Sequence, residues 1–85
     1  MKEVKIRPRT EDHDFQFKLR HIKRFIEEGN KVKVSLLFRG REIAHTEFGR
    51  EMLNRIQEEK KDLAVVEQVP RMEGRMMVMI LTPKG

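Results

Sequence analysis

Residues 15 to 25, FQFKLRHIKRF, combine an aromatic ring with arginines at helical spacing. At about 100° per residue, Phe17, Arg20 and Arg24 fall together on the side of a helix opposite its apolar stripe. Guanidinium groups bind phosphate bidentately and stack on bases, and a neighbouring ring adds a stacking platform or an apolar contact to ribose. The alternative is that the ring packs under a loop while the arginines pair with the glutamates at 27 and 28.

Two further stretches place arginines around a glycine turn. FRGRE, residues 38 to 42, carries Arg39 and Arg41, and RMEGR carries Arg71 and Arg75. Backbone N–H and guanidinium donors at such a turn converge on a phosphate. FRGRE is not a P-loop, because no Lys-Ser or Lys-Thr pair follows it. Basic turn residues are also common surface features, so an ordinary surface turn stays open as the alternative for both stretches.

Groups for catalysis or metal binding have little support in this sequence. His13, His21 and His45 lack metal-ligand spacing such as HExxH, and no GxSxG, GxGxxG or CxxC occurs. The stretch EDHD, residues 11 to 14, could gather carboxylates around a cation, but it is also typical of a helix N-terminus. We expect no catalytic residue, no metal and no cofactor.

Length and composition indicate one small domain. The chain has 85 residues and no cysteine, which excludes disulfides and thiolate chemistry and is compatible with a reducing cytosol. The longest apolar run, Met76 to Leu81, is far shorter than the roughly 20 residues that span a bilayer, and the N-terminus has no signal-peptide core. We expect a soluble, untargeted, monomeric protein.

Charge is distributed unevenly along the chain. The net charge is +5 in total, with +6 over residues 1 to 41, −3 over 42 to 70 and +2 over 71 to 85. Clustered cations bind a polyanion by releasing its counterions. The distribution therefore indicates a polyanionic partner met from one side, with chance clustering on an ordinary surface as the alternative.

Apolar spacing predicts two helices. The first is expected to have Asp12 or Asp14 as its N-cap and Gly29 as its end. The second begins at Thr46 and runs to about residue 60. We expect its apolar face to consist of Phe48, Met52, Leu53 and Ile56.

Alternating residues predict four strands. The first two cover residues 2 to 7 and 32 to 39. Two more occupy the last third of the chain and are joined through residues 71 to 74, where Gly74 supplies the positive φ of a tight hairpin. The order βαβαββ predicts an α/β (α+β) two-layer sandwich: right-handed crossovers and parallel pairing place both helices on one face of a four-stranded mixed sheet.

The face of this sheet that no helix covers is expected to be mixed in character. It should carry Lys5, Arg7, Lys33 and Arg39 beside apolar residues such as Leu37. Long basic side chains often lay their stems over apolar neighbours, so the face is either solvated surface or a binding surface.

Several motifs occur in a familiar succession: IRPRTEDHDFQFKLRHIKRFIEEGNKVKVSLLFRGREIAH, then GREMLNRIQEE, LAVVEQVP and EGRMMVMILTPK. In this order, over about eighty residues, they resemble the C-terminal domain of bacterial translation initiation factor three. The resemblance implies a two-layer α/β domain that binds the platform of the small ribosomal subunit through ribosomal RNA. It also implies opposition to joining of the large subunit and support for selection of initiator tRNA and start codon.

The resemblance implies RNA-contacting residues motif by motif. They are Arg7 from RP, Lys18 and Arg20 from KLR, Arg24 from the following turn, Arg39 and Arg41 from FRGRE, Arg55 from LNR and Arg75 from EGR. Charge alone predicts a different role for Arg55, as an intrahelical partner of Glu51 or Glu59. The family often has tyrosine at the position of Phe15, which we expect in the core.

Two other function classes are alternatives to a ribosome-binding domain. A small RNA-processing hydrolase would use His21 or His45 with a nearby carboxylate. A protein-interaction module would use the uncovered sheet face. Full-length members of the resembled family also have an N-terminal domain and a lysine-rich linker that are not among these 85 residues, so we expect an isolated domain.

Overall fold

Strands and helices follow one another in the predicted order. The structure is a computed structural model that describes residues 1–7, 12–40 and 46–84. Its elements are β1 (Lys2–Ile6), α1 (Asp12–Glu27), β2 (Val32–Leu37), α2 (Thr46–Lys60), β3 (Ala64–Glu73) and β4 (Met76–Pro83). The predicted mixed sheet with two helices is confirmed.

The four strands lie in the order β1-β2-β4-β3. β1 and β2 are parallel, as expected of a strand-helix-strand unit, and β4 is antiparallel to both β2 and β3. The parallel pairing expected of the second strand-helix-strand unit, β2-α2-β3, is wrong. β2 and β3 run in the same direction, but β4 lies between them because it returns directly from the hairpin and pairs with all of β2.

One face of the sheet and the inner faces of both helices form the core. Val34 in β2 is fully buried, with Val4 beside it in β1 and Met79 beside it in β4. Leu19 and Ile22 of α1 and Leu53 and Ile56 of α2 belong to the same cluster. Neither described helix is long and apolar enough to cross a membrane. The opposite sheet face, which we call the open face, is covered by neither of the two described helices.

The end of α1 follows the predicted glycine stop. The N–H of Gly29 donates to the carbonyl of Ile26, and the N–H of Asn30 donates to the carbonyl of Phe25, both at 2.9 Å. With φ of +87° at Gly29, these bonds form a Schellman motif that satisfies the last carbonyls of the helix. At the other end α1 already includes Asp12, so Asp14 lies within the first turn.

α2 presents a different residue to the sheet than predicted. Phe48 is 58% exposed, whereas Gly49, Leu53 and Ile56 are buried. A Cβ at Gly49 would lie 2.5 Å from Cζ of Phe38, so the helix approaches the sheet at a position that has no side chain. The prediction for Phe48 is wrong because the ring of Phe38 already fills the space beneath this turn.

The hairpin between β3 and β4 is tighter than predicted. Glu73 pairs with Met76, which leaves Gly74 and Arg75 as the turn. Gly74 has φ of +64° and no non-glycine residue of the described chain has positive φ, as in a type II′ turn. Arg71, expected in the turn, therefore belongs to β3.

Candidate nucleic-acid interface

The outer face of α1 carries the three side chains that the sequence placed there. Phe17 is 48% exposed, and Arg20 and Arg24 are exposed too. Arg24 Nε lies 3.1 Å from Glu28 Oε1, as in the ion-pair interpretation. Arg20 makes no ion pair or hydrogen bond within the described residues. One of the two arginines is thus occupied by an acid, and the other presents its donors to solvent.

Three rings follow one another along α1 at spacings of four residues, and we call Phe17, His21 and Phe25 the aromatic column. The ring centroids of Phe17 and His21 are 4.4 Å apart, and those of His21 and Phe25 are 6.2 Å apart. Phe25 packs against the core, and Lys2 Nζ lies 5.8 Å from its ring centroid. Phe17 therefore packs against a ring of its own helix and keeps about half of its surface exposed.

A second set of arginines lies at one end of the sheet. In register, Ile6 of β1 stands beside Leu36 of β2, so Arg7 lies where these two parallel strands end. Leu37 pairs with Met76, and the N–H of Phe38 donates to the carbonyl of Arg75 at 2.9 Å. This register brings three arginines to the same end, which we call the sheet end: Arg7, Arg39 and Arg75.

The sheet end and the far end of α1 are well separated. Lys2, at the start of β1, contacts Phe25, near the end of α1, so the helix runs antiparallel to the strand. At 1.5 Å per residue, Arg24 lies about 18 Å along the helix axis from Asp12. The basic residues therefore form two groups, and Arg20 lies between the sheet end and Arg24.

Cations of the open face lie close to acids. Glu3 lies 3.8 Å from both Lys5 and Lys33 through its two carboxylate oxygens, and Ser35 Oγ donates to Glu3 at 3.2 Å. The placement of both lysines on this face agrees with the sequence prediction. The single carboxylate offsets one of these two positive charges, so this part of the face keeps a net charge of +1.

The other half of the open face repeats this arrangement. Lys31 Nζ and Glu67 Oε1 are 2.6 Å apart, and Arg71 lies 3.6 Å from Glu73. The amide nitrogen of Gln68 donates to the backbone carbonyl of Val78 at 3.5 Å, and the side chain of Val78 is buried. On this half of the open face each of these two cations thus has an acid beside it.

A contact between the helices involves Arg55. Its guanidinium carbon lies 4.8 Å from the ring centroid of Phe15, which is buried as predicted. No ion pair joins Arg55 to Glu51 or Glu59 within the described chain, so the predicted intrahelical pairing is wrong. Packing of α2 beside α1 offers the guanidinium an aromatic face instead, and its exposed donors stay near the start of α1.

Comparison of the sequence with known proteins shows the family of this chain. The sequence model of "Translation initiation factor IF-3, C-terminal domain" matches residues 1–84. The chain belongs to this family. It is 61% identical over 84 residues to translation initiation factor IF-3 of Geobacter metallireducens, and 57% identical over 83 residues to that of Thermus thermophilus. The Myxococcus xanthus factor is 60% identical over 83 residues.

The IF-3 match covers nearly all of this chain but only part of each relative. The aligned residues are 99% of this chain and 49% of the Geobacter protein, and 98% of this chain and 34% of the Myxococcus protein. The chain thus spans about half, or less, of the length of the relatives it matches. It corresponds to the C-terminal domain named in the family description.

As a member of the IF-3 C-terminal domain family, the chain presents most of the implied residues at its surface. Arg7, Arg20, Arg24, Arg39, Arg55 and Arg75 are exposed, and Lys18 is half-buried on α1. Arg41 lies outside the described residues, as does His45 of the hydrolase alternative. Among residues 1–7, 12–40 and 46–84, no group of three or more histidines and acids is arranged to hold a metal ion.

The aromatic column is the feature of this IF-3 domain that sequence reasoning missed. Helical spacing grouped Phe17 with Arg20 and Arg24, whereas His21 was a candidate metal ligand and a candidate acid or base. The signal was present, since residues 17, 21 and 25 are spaced at i, i+4 and i+8, which places three rings on one side of a helix.

Proposed function

We propose that this IF-3 domain binds the small ribosomal subunit at its platform through ribosomal RNA. In this proposal the bound domain opposes association with the large subunit and supports selection of the initiator tRNA and start codon. The family match over residues 1–84 carries the proposal, since the relatives are named translation initiation factors. In this proposal the domain acts in the cytoplasm as a monomer, without a cofactor or catalysis.

The distribution of charge supports an RNA partner and favours particular surfaces. Arginines at the sheet end and on α1 neutralise phosphates on folded RNA, while the acids of the open face repel them. Contacts of this kind read shape and backbone more than base sequence. The bound domain then hinders docking of the large subunit by occupying its place.

Replacing Arg20 and Arg24 together by glutamate tests the α1 surface. The four-unit change of charge should weaken binding to isolated small subunits roughly ten- to a hundredfold at moderate salt, because two phosphate contacts become repulsions. Filter binding with labelled domain across a salt series measures both the affinity and the slope of log K against log salt. The slope should become shallower by about two.

The matched control changes the same charge elsewhere. Lys61 and Lys84 are exposed residues just beyond α2 and β4, and their double replacement by glutamate should affect binding much less. Equal losses in the two double variants would mean that only net charge matters. Unchanged binding of the Arg20 and Arg24 variant would exclude α1 as the contact surface.

A further inference from the structure

We propose that α1 binds a single nucleotide of RNA: the ring of Phe17 stacks on one unpaired base while Arg20 binds the adjoining phosphate. This inference rests on the proposed function. The site is thus a single-nucleotide platform within the larger RNA interface. Its occupant is an unstacked nucleotide from a loop, bulge or single strand.

Rigidity of the aromatic column is the first support. Phe17 lies 4.4 Å from His21, which lies 6.2 Å from Phe25, and Phe25 is packed against the core. A ring fixed by such a series has little rotamer freedom left to lose when a ligand binds. Yet Phe17 remains 48% exposed, so a large part of its surface is open to a planar partner.

Charge beside the ring is the second support. Arg20 is three residues from Phe17 and therefore lies on the same helix face, and within the described chain no acid pairs with it. An apolar protein segment would leave this guanidinium without an anion, and a fully paired duplex would offer no base face to the ring. A nucleotide supplies both the ring and the negative charge.

Phe48, the other strongly exposed phenylalanine of the described residues, differs from Phe17 in the charge beside its ring. Phe48 is 58% exposed on α2, but the residue three positions after it is Glu51, where Phe17 has Arg20. An acid at this position repels phosphate, so exposure of an aromatic side chain alone does not make Phe48 a nucleotide site. It provides a matched control.

The chain contains neither tryptophan nor tyrosine, so Phe17→Trp introduces a lone fluorescent reporter. Titration with a short RNA hairpin that has an unpaired loop should quench the emission, because the indole stacks on a base. A blunt duplex of equal length should quench it much less. Phe48→Trp should respond to neither RNA. Equal quenching of Phe17→Trp by hairpin and duplex, or none by either, would overturn the proposal.

Phe17→Leu supplies the energetic test. It keeps an apolar side chain but removes the ring face, so affinity for the loop RNA should fall about 5- to 150-fold, the value of one stacked base. The salt dependence should stay unchanged, because no charge is lost. Phe48→Leu should bind as the parent does. A Phe17→Leu protein with parental affinity and an unaltered thermal transition would refute the platform.

Binding of the parent protein to small ribosomal subunits separates this inference from the function on which it rests. If the parent binds subunits and Phe17→Leu binds them equally well, the platform is wrong while the proposed function stands. If the parent binds neither subunits nor RNA, both proposals fail together.

Discussion

Gly49 is the residue at which α2 comes closest to the sheet. Alanine is normally better than glycine inside a helix by about 1 kcal/mol. At this position, however, the added Cβ would lie 2.5 Å from Phe38 Cζ and 2.8 Å from Leu36 Cδ2, both in fully buried side chains. We expect Gly49→Ala to lower the free energy of unfolding by about 1–3 kcal/mol, measured by urea denaturation.

A control on the same helix isolates the steric cause. Asn54 is exposed, so Asn54→Ala should change stability by only a few tenths of a kcal/mol, in the stabilising direction. In a Phe38→Leu background, Gly49→Ala should cost less than in the parent, because the ring that it meets is gone. Equal costs in both backgrounds would contradict the packing argument.

The end of α1 shows how one residue sets the boundary of an element. Gly29 has φ of +87°, and no atom lies within 4 Å of a Cβ built there, so backbone conformation alone determines the cost of a substitution. Gly29→Ala should lower the free energy of unfolding by about 1 kcal/mol, again by urea denaturation. Gly29→Asn should cost less, because asparagine adopts left-handed conformations more readily. Equal costs would point to a cause other than φ.

The two faces of the helix α1 have different roles, one in the core and one at the surface. Its inner stripe, including Leu19 and Ile22, is buried in the core, while its outer face holds Phe17 and Arg20. Substitutions on the outer face therefore remove little buried surface. This separation lets binding be altered while the fold is kept, which is what the tests at the outer face require.

At the scale of the molecule, the basic residues differ in whether an acid accompanies them. Arg75 is exposed at the turn of the sheet end, whereas Arg71 lies on the open face, 3.6 Å from Glu73. If the sheet end contacts RNA, Arg75→Ala should weaken binding to small subunits and reduce the slope of log K against log salt by about one. Arg71→Ala should change both much less. Identical salt slopes for the two variants would exclude the sheet end as a contact.

Local pattern was sufficient to predict the elements. Alternation and helical spacing predicted all six, the glycine stop of α1 and the positive φ of Gly74, because these depend on residues near one another in sequence. The same spacing placed Phe17, Arg20 and Arg24 on one outer face. The motif succession predicted the family, which the match over residues 1–84 shows.

Contacts between distant residues were decided only by the tertiary structure. Three features depend on how the elements pack. They are the position of β4 between β2 and β3, the burial of Gly49 in place of Phe48, and the contact of Arg55 with the ring of Phe15. The same holds for the acids that pair with cations of the open face, such as Glu3 between two lysines. A sequence determines which face of a helix or strand is apolar, whereas which partner meets that face depends on competition among all elements for one core.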